Sequence, residues 1–173
     1  MTWIYKTNRD NSARFVLGKN GQNTLICIGV NPSTASPEQL DNTLKSVARQ
    51  ATAKGYDSWV MLNIYPQRAT NPKNIHLNID VKLHNSNLKQ IKKILESIEK
   101  PTIWVVWGNL IESRSFLVSC LIDIFELSEH YHPNWISIGK CSKAGHPHHP
   151  LYLNLSAEIQ DFDLKNYLQK LKK

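Results

Sequence analysis

The sequence predicts an α/β fold, a three-layer sandwich in which parallel strands alternate with helices. Three observations carry that reading. Four short apolar runs, rich in β-branched and aromatic residues, recur along the chain. Helical periodicity fills the stretches between them. Two of the runs are apolar at nearly every position, as strands covered on both faces are. The 173 residues suit one domain, residues 1–173, without internal repeats or low-complexity linkers.

The N-terminal stretch 14–17 (RFVL) followed by 19–22 (KNGQ) reads as a strand and a hairpin turn that adds or covers an antiparallel edge. The first parallel strand is 24–30 (TLICIGV). A helix follows, with Ser36 as N-cap, Pro37 in its first turn, Gln39 completing a capping box and Gly55 closing it; its apolar stripe is Leu40, Leu44, Val47, Ala48 and Ala51. The second strand is 58–64 (SWVMLNI). Val81, Leu88, Ile91, Leu95 and Ile98 mark the next helix, which stops before Pro101. The third strand is 102–107 (TIWVVW), and a helix from about Asn109 to Leu127 turns Leu117, Val118, Leu121, Ile122 and Phe125 inward. The fourth strand is 135–139 (WISIG). A closing helix spans 161–172, with Leu164, Tyr167, Leu168 and Leu171 on its inner face.

Composition narrows the class of protein. No apolar run approaches the roughly 18 residues of a membrane span, and the N-terminus lacks an export signal. Three widely spaced cysteines, Cys27, Cys120 and Cys141, form no Cys-x-x-Cys, which argues against a disulfide scaffold or thiolate zinc site and suits a cytoplasmic protein. The net charge of +7 favours an anionic partner. Residues 66–76 carry Arg68 and Lys73, and residues 139–157 carry Lys140 and Lys143, with no acid in either segment.

Open α/β sheets bind ligands beyond the carboxyl ends of their strands. Unusual residues stand at all four predicted ends: 29–35 (GVNPSTA), 62–70 (LNIYPQRAT), 107–109 (WGN) and 145–152 (GHPHHPLY). In this order and spacing, over residues 24–152, the motifs resemble the uracil-DNA glycosylase superfamily. The Asn-Pro-Ser-Thr-Ala and Gly-His-Pro-x-His-Pro-Leu-Tyr strings also resemble an uncharacterised bacterial and phage family of this size, a likeness that supplies no activity.

The glycosylase resemblance implies a four-stranded parallel sheet of order 2-1-3-4, a nucleobase or nucleotide as ligand, and hydrolysis of an N-glycosidic bond. By that likeness Asn31 positions the attacking water. An amide cannot take the water's proton, so Asp41 is the nearest acid able to compensate, with helix capping as its alternative role. Asn63 reads the edge of the base, and His146 stabilises the departing base. Arg68 engages phosphate through its planar fork. Ser33 and His149 join the substrate-binding candidates, His149 because the phosphate-holding Ser of the glycosylase motif is missing here. Tyr65, Trp107 and Tyr152 are the candidate aromatics for stacking on the base.

Two other classes remain open. A non-catalytic nucleic-acid or nucleotide-binding module accounts for the charge and for Asn in place of Asp at position 31. A metal-dependent hydrolase accounts for the histidines at 130, 132, 146, 148 and 149, although no further ligand motif reinforces it and no metal ligand is assigned. No Gly-x-Gly-x-x-Gly, P-loop or Gly-x-Ser-x-Gly occurs, so no organic cofactor is implied.

Overall fold

One continuous sheet of seven strands is the frame of the molecule, described in this computed structural model for residues 2–172, the side chain of Tyr152 excepted. In chain order the strands are β1 (Trp3–Thr7), β2 (Arg14–Lys19), β3 (Thr24–Gly29), β4 (Ser58–Asn63), β5 (Thr102–Val105), β6 (Asn134–Ile138) and β7 (Ile159–Asp161). The helices are α1 (Asn42–Ala53), α2 (Val81–Glu96), α3 (Ser115–Glu129) and α4 (Leu164–Leu171). Across the sheet the order is β1-β2-β4-β3-β5-β6-β7.

This corrects the expected four-stranded parallel, glycosylase-like sheet of order 2-1-3-4. The sheet is mixed: β3–β4, β3–β5 and β5–β6 pair in parallel, whereas β1–β2, β2–β4 and β6–β7 are antiparallel. The added strands lie at the margins, where apolar patterning is weak. All three residues of β7 are exposed, and β1 is only partly covered.

The expected hairpin between β2 and the strand after it is also corrected. Every residue of β3 and β4 is buried, so both need sheet neighbours on either edge. β3 takes β4 and β5, and β2 is displaced to the far edge of β4, with Leu17 opposite Met61 and Gly18 opposite Val60. Gly18 permits that approach: a Cβ there would stand 2.3 Å from the Trp59 carbonyl oxygen.

Two apolar layers sandwich the sheet. On one face Leu44, Val47 and Ala51 of α1 pack over Leu25, Cys27, Met61 and Trp104. On the other, α2, α3 and α4 bring Ile91, Leu121 and Leu168 onto Ile26, Ile28, Leu62 and Val105. Helix starts differ from expectation for local reasons. Ser36 and Gln39 close a tight turn on each other through reciprocal backbone bonds of 3.1 and 3.2 Å, and α1 begins only after Asp41, whose Oδ1 accepts the Leu44 N–H at 2.9 Å. A 3-10 stretch, Gly108–Ser113, occupies the first part of the expected third helix. Asp163, not Asp161, caps α4, because 159–161 pairs with β6.

Candidate functional site

The connection from β3 runs to β4 on one side, and that from the adjacent β5 runs to β6 on the other. That is a topological switch point, where the loops after β3 and β5 part and a crevice opens at the carboxyl ends. A cleft of about 580 Å³ lies there, on the α1 face. Its floor is Gly29 and Asn63, its walls are the loop after β3, the first turn of α1 and the turn after β5, and Leu110, His149 and Leu151 stand at its margin.

Asn63 ends β4 and is 1% exposed, yet neither Nδ2 nor Oδ1 has a hydrogen-bond partner. Its backbone is fixed from behind: Asn87 of α2, itself fully buried, donates through Nδ2 to the Asn63 carbonyl at 2.9 Å. Gly29 stands beside the amide, where a Cβ would come within 3.3 Å of Asn63 Oδ1 and 2.8 Å of Met61 Cε. Glycine therefore keeps the floor open next to an amide whose whole bonding capacity faces the cleft.

Asn31 is used differently. Its Nδ2 donates to the carbonyls of Pro32, Gln67 and Ala69 at 3.0, 3.3 and 2.9 Å, stitching the loop after β3 to the loop after β4. Three acceptors around one NH2 fix the amide's orientation and leave Oδ1 as the atom it offers a ligand. Ser33 Oγ and Thr70 Oγ1, 2.8 Å apart, bridge the same two loops at the cleft wall.

Asp41 lines the cleft as the cap of α1. Burial holds the His149 imidazole below its ordinary range, with the Asp41 charge opposing that shift. Trp107 lines the cleft but is 1% exposed, its ring packed against Phe162 and Tyr167.

Arg14, unremarked as a site residue in the sequence, also lines the cleft. It heads β2 and is 2% exposed. Among the described residues its guanidinium makes one hydrogen bond, Nη1 to the Ala35 carbonyl at 3.3 Å, and no ion pair; Nε is buried without a partner. Burial, and after it the neighbouring Arg68, draws its pKa down to about 10, so it is a cation at neutral pH. The signal was a lone cation at the head of the apolar stretch 14–17, a position the strand pattern turns inward.

Three predicted residues lie elsewhere. Arg68 spends its guanidinium on protein: Nε and Nη2 donate to Asn11 Oδ1, Nη2 also to Tyr5 Oη at 2.7 Å, and Nη1 to the carbonyls of Ser33 and Ala35 at 2.6 and 3.2 Å. It clamps the loop after β3 from outside the cleft. Tyr65 is fully buried, its hydroxyl sharing a hydrogen bond of 2.6 Å with His76 Nδ1 and accepting the Asp80 N–H at 3.1 Å. It packs on Phe116 and offers no stacking face. The side chain of Tyr152 lies outside the described residues.

His146 sits on the opposite face, against α4. Trp107 Nε1 donates to Tyr167 Oη at 2.9 Å, and the same hydroxyl shares a hydrogen bond of 2.6 Å with His146 Nδ1. Burial raises the Tyr167 pKa, so the phenol is neutral. His146 Nε2 is buried 3.2 Å from Glu112 Oε2 and makes no hydrogen bond. Trp107 stands between this knot and the cleft, so Asn31 and Asn63 share a cavity that His146 does not line. Among the described residues no three His, Cys, Asp or Glu side chains converge as metal ligands, and no helix is long and apolar enough to cross a membrane.

Fold and cleft together define the class: an α/β protein on a mixed sheet, with a ligand-sized cleft at a topological switch point and an unpaired amide at its floor. Residues 14–151 match the family described as Protein of unknown function (DUF1643), and the chain belongs to that family. Every residue lining the cleft falls within the matched span, which begins at Arg14 and ends at Leu151. No curated protein and no solved structure matches the chain.

Proposed function

We propose that the cleft binds a nucleobase, carried by a nucleoside, a nucleotide or an unstacked nucleic-acid residue, and that Asn63 reads its edge. The observation that carries this reading is the Asn63 amide, 1% exposed with donor and acceptor both unpaired at the cleft floor. Each such group costs about 1–3 kcal/mol when buried without a partner. A base edge with adjacent donor and acceptor meets both groups at once, as amide side chains do in base recognition. The cleft volume of about 580 Å³ suits a ligand of that size. The motif resemblance to uracil-DNA glycosylases assigns Asn63 the same task.

Hydrolysis of the N-glycosidic bond is the second reading, and Asp41 favours it as the carboxylate lining the cleft. In that step a water oxygen bonds to C1′, the C1′–N bond breaks with its electron pair leaving on the base, and Asp41 takes the water proton. Calorimetric titration with nucleosides, nucleotides and single-stranded oligonucleotides tests the first reading. Base-dependent binding that weakens at least tenfold in Asn63→Ala is expected; equal affinity in wild type and Asn63→Ala overturns it, as does an absence of binding. Chromatography of the same mixtures for released base tests the second, with Asp41→Asn abolishing release.

A further inference from the structure

We infer that Arg14 is the seat of a phosphate group, so that the cleft takes a nucleoside monophosphate in preference to the bare nucleoside. The inference rests on the base reading of Asn63 and adds the second half of the ligand.

A buried guanidinium ordinarily faces a carboxylate or a ring of acceptors, because removing the charge from water is costly. Arg14 has neither. It is 2% exposed, holds one carbonyl at 3.3 Å, leaves Nε without a partner and has no ion pair among the described residues. The unused donors are those of a planar fork, the geometry that phosphate oxygens accept in pairs.

Its surroundings are arranged to leave it in that state. Arg68, the neighbouring cation, is bound to Asn11, Tyr5 and the Ser33 and Ala35 carbonyls, and it competes with Arg14 for the Ala35 oxygen. Asp41, the carboxylate on the same cleft, has Oδ1 held by the Leu44 N–H, and its charge is felt at Arg14 without forming an ion pair. The two guanidinia outweigh that one carboxylate, leaving the region a net cation.

Placement matches the ligand. Arg14 heads β2 and Asn63 ends β4, adjacent antiparallel strands, and both side chains line one cleft with the Ser33 and Thr70 hydroxyls on its wall. A base on Asn63 and a phosphate on Arg14 are then the two ends of one molecule.

The test is calorimetry with four nucleosides, their 5′-monophosphates and inorganic phosphate, on wild type, Arg14→Met and Arg14→Lys. Wild type is expected to bind its preferred monophosphate at least tenfold more tightly than the matching nucleoside, with a salt dependence the nucleoside lacks. Arg14→Met is expected to bind both equally, at the nucleoside affinity, and Arg14→Lys to recover part of the preference. Should Arg14→Met fail to fold, the wild-type ratio decides alone: monophosphate and nucleoside binding equally overturns the inference. Nucleoside binding that needs Asn63 but gains nothing from phosphate sinks the Arg14 seat and spares the base reading. Phosphate binding that needs Arg14 but ignores base identity does the reverse.

Discussion

On the α4 side of Trp107, most buried polar groups answer one another, indole N–H to phenol and phenol with imidazole Nδ1. His146 Nε2 stands 3.2 Å from the exposed Glu112 carboxylate without a hydrogen bond. On the α1 side, Asn63 and Arg14 are equally buried, yet the amide has no partner and the guanidinium almost none. Both clusters lie near the carboxyl ends of the parallel strands, and both drew attention by residue type. What separates them is the hydrogen-bond account. A largely closed account, with three of its groups bonded to one another, describes a strut. An open account bordering a cavity describes a receptor, because the fold bears a cost that only a ligand removes.

The comparison can be broken most forcefully at Tyr167. Tyr167→Phe leaves Trp107 Nε1 and His146 Nδ1 buried without partners, at about 1–3 kcal/mol each. Chemical denaturation is expected to show a loss of about 2–4 kcal/mol, with ligand affinity nearly intact. Affinity falling along with stability would mean that the knot belongs to the site.

The opposite outcome is expected at Asn63. Asn63→Leu replaces two unpaired polar groups by an apolar side chain of similar size. Stability should stay level or rise by up to about 1 kcal/mol while nucleobase binding disappears. A loss comparable to that of Tyr167→Phe would show the amide to be a strut after all.

The smallest effect concerns pH. His149 is held below the ordinary imidazole range by burial, so the unfolded chain takes up its proton at higher pH than the folded one. Its contribution to stability is therefore fully present above the ordinary imidazole pKa and is lost as the pH falls through the lower folded value. Melting temperatures at pH 7.5 and 5.5 should show wild type losing more than His149→Gln; equal losses would remove His149 from the account.

Much of this contrast lay beyond sequence patterns for identifiable reasons. The apolar runs that became β3 to β6 were legible because strands buried on both faces leave long uninterrupted signatures. The carboxyl rim was legible through Asn31, Asn63, Asp41 and His149, all of which line the cleft. The margins were not: β7 carries no apolar alternation, and β2 pairs with a strand remote in sequence. Motif order also cannot tell which face of a sheet a loop falls on, and His146 fell against α4. Arg68 had the chemistry expected of a phosphate ligand, but five protein hydrogen bonds consume it. Arg14, inconspicuous in a short strand, was left the free fork.

The insertion of β4 between β2 and β3 has a consequence for how the molecule matures. Residue 18 meets residue 60, so β2, which pairs with β1 as a local hairpin, joins the rest of the sheet through a contact distant in sequence. Such distant pairings are slow to close. Arg14 and Asn63 are brought to one cleft by that distant pairing, so the cleft is whole only when β2 lies beside β4. A ligand that spans the two residues ties that strand pair together, and its binding should stabilise the sheet against separation of β2 from β4.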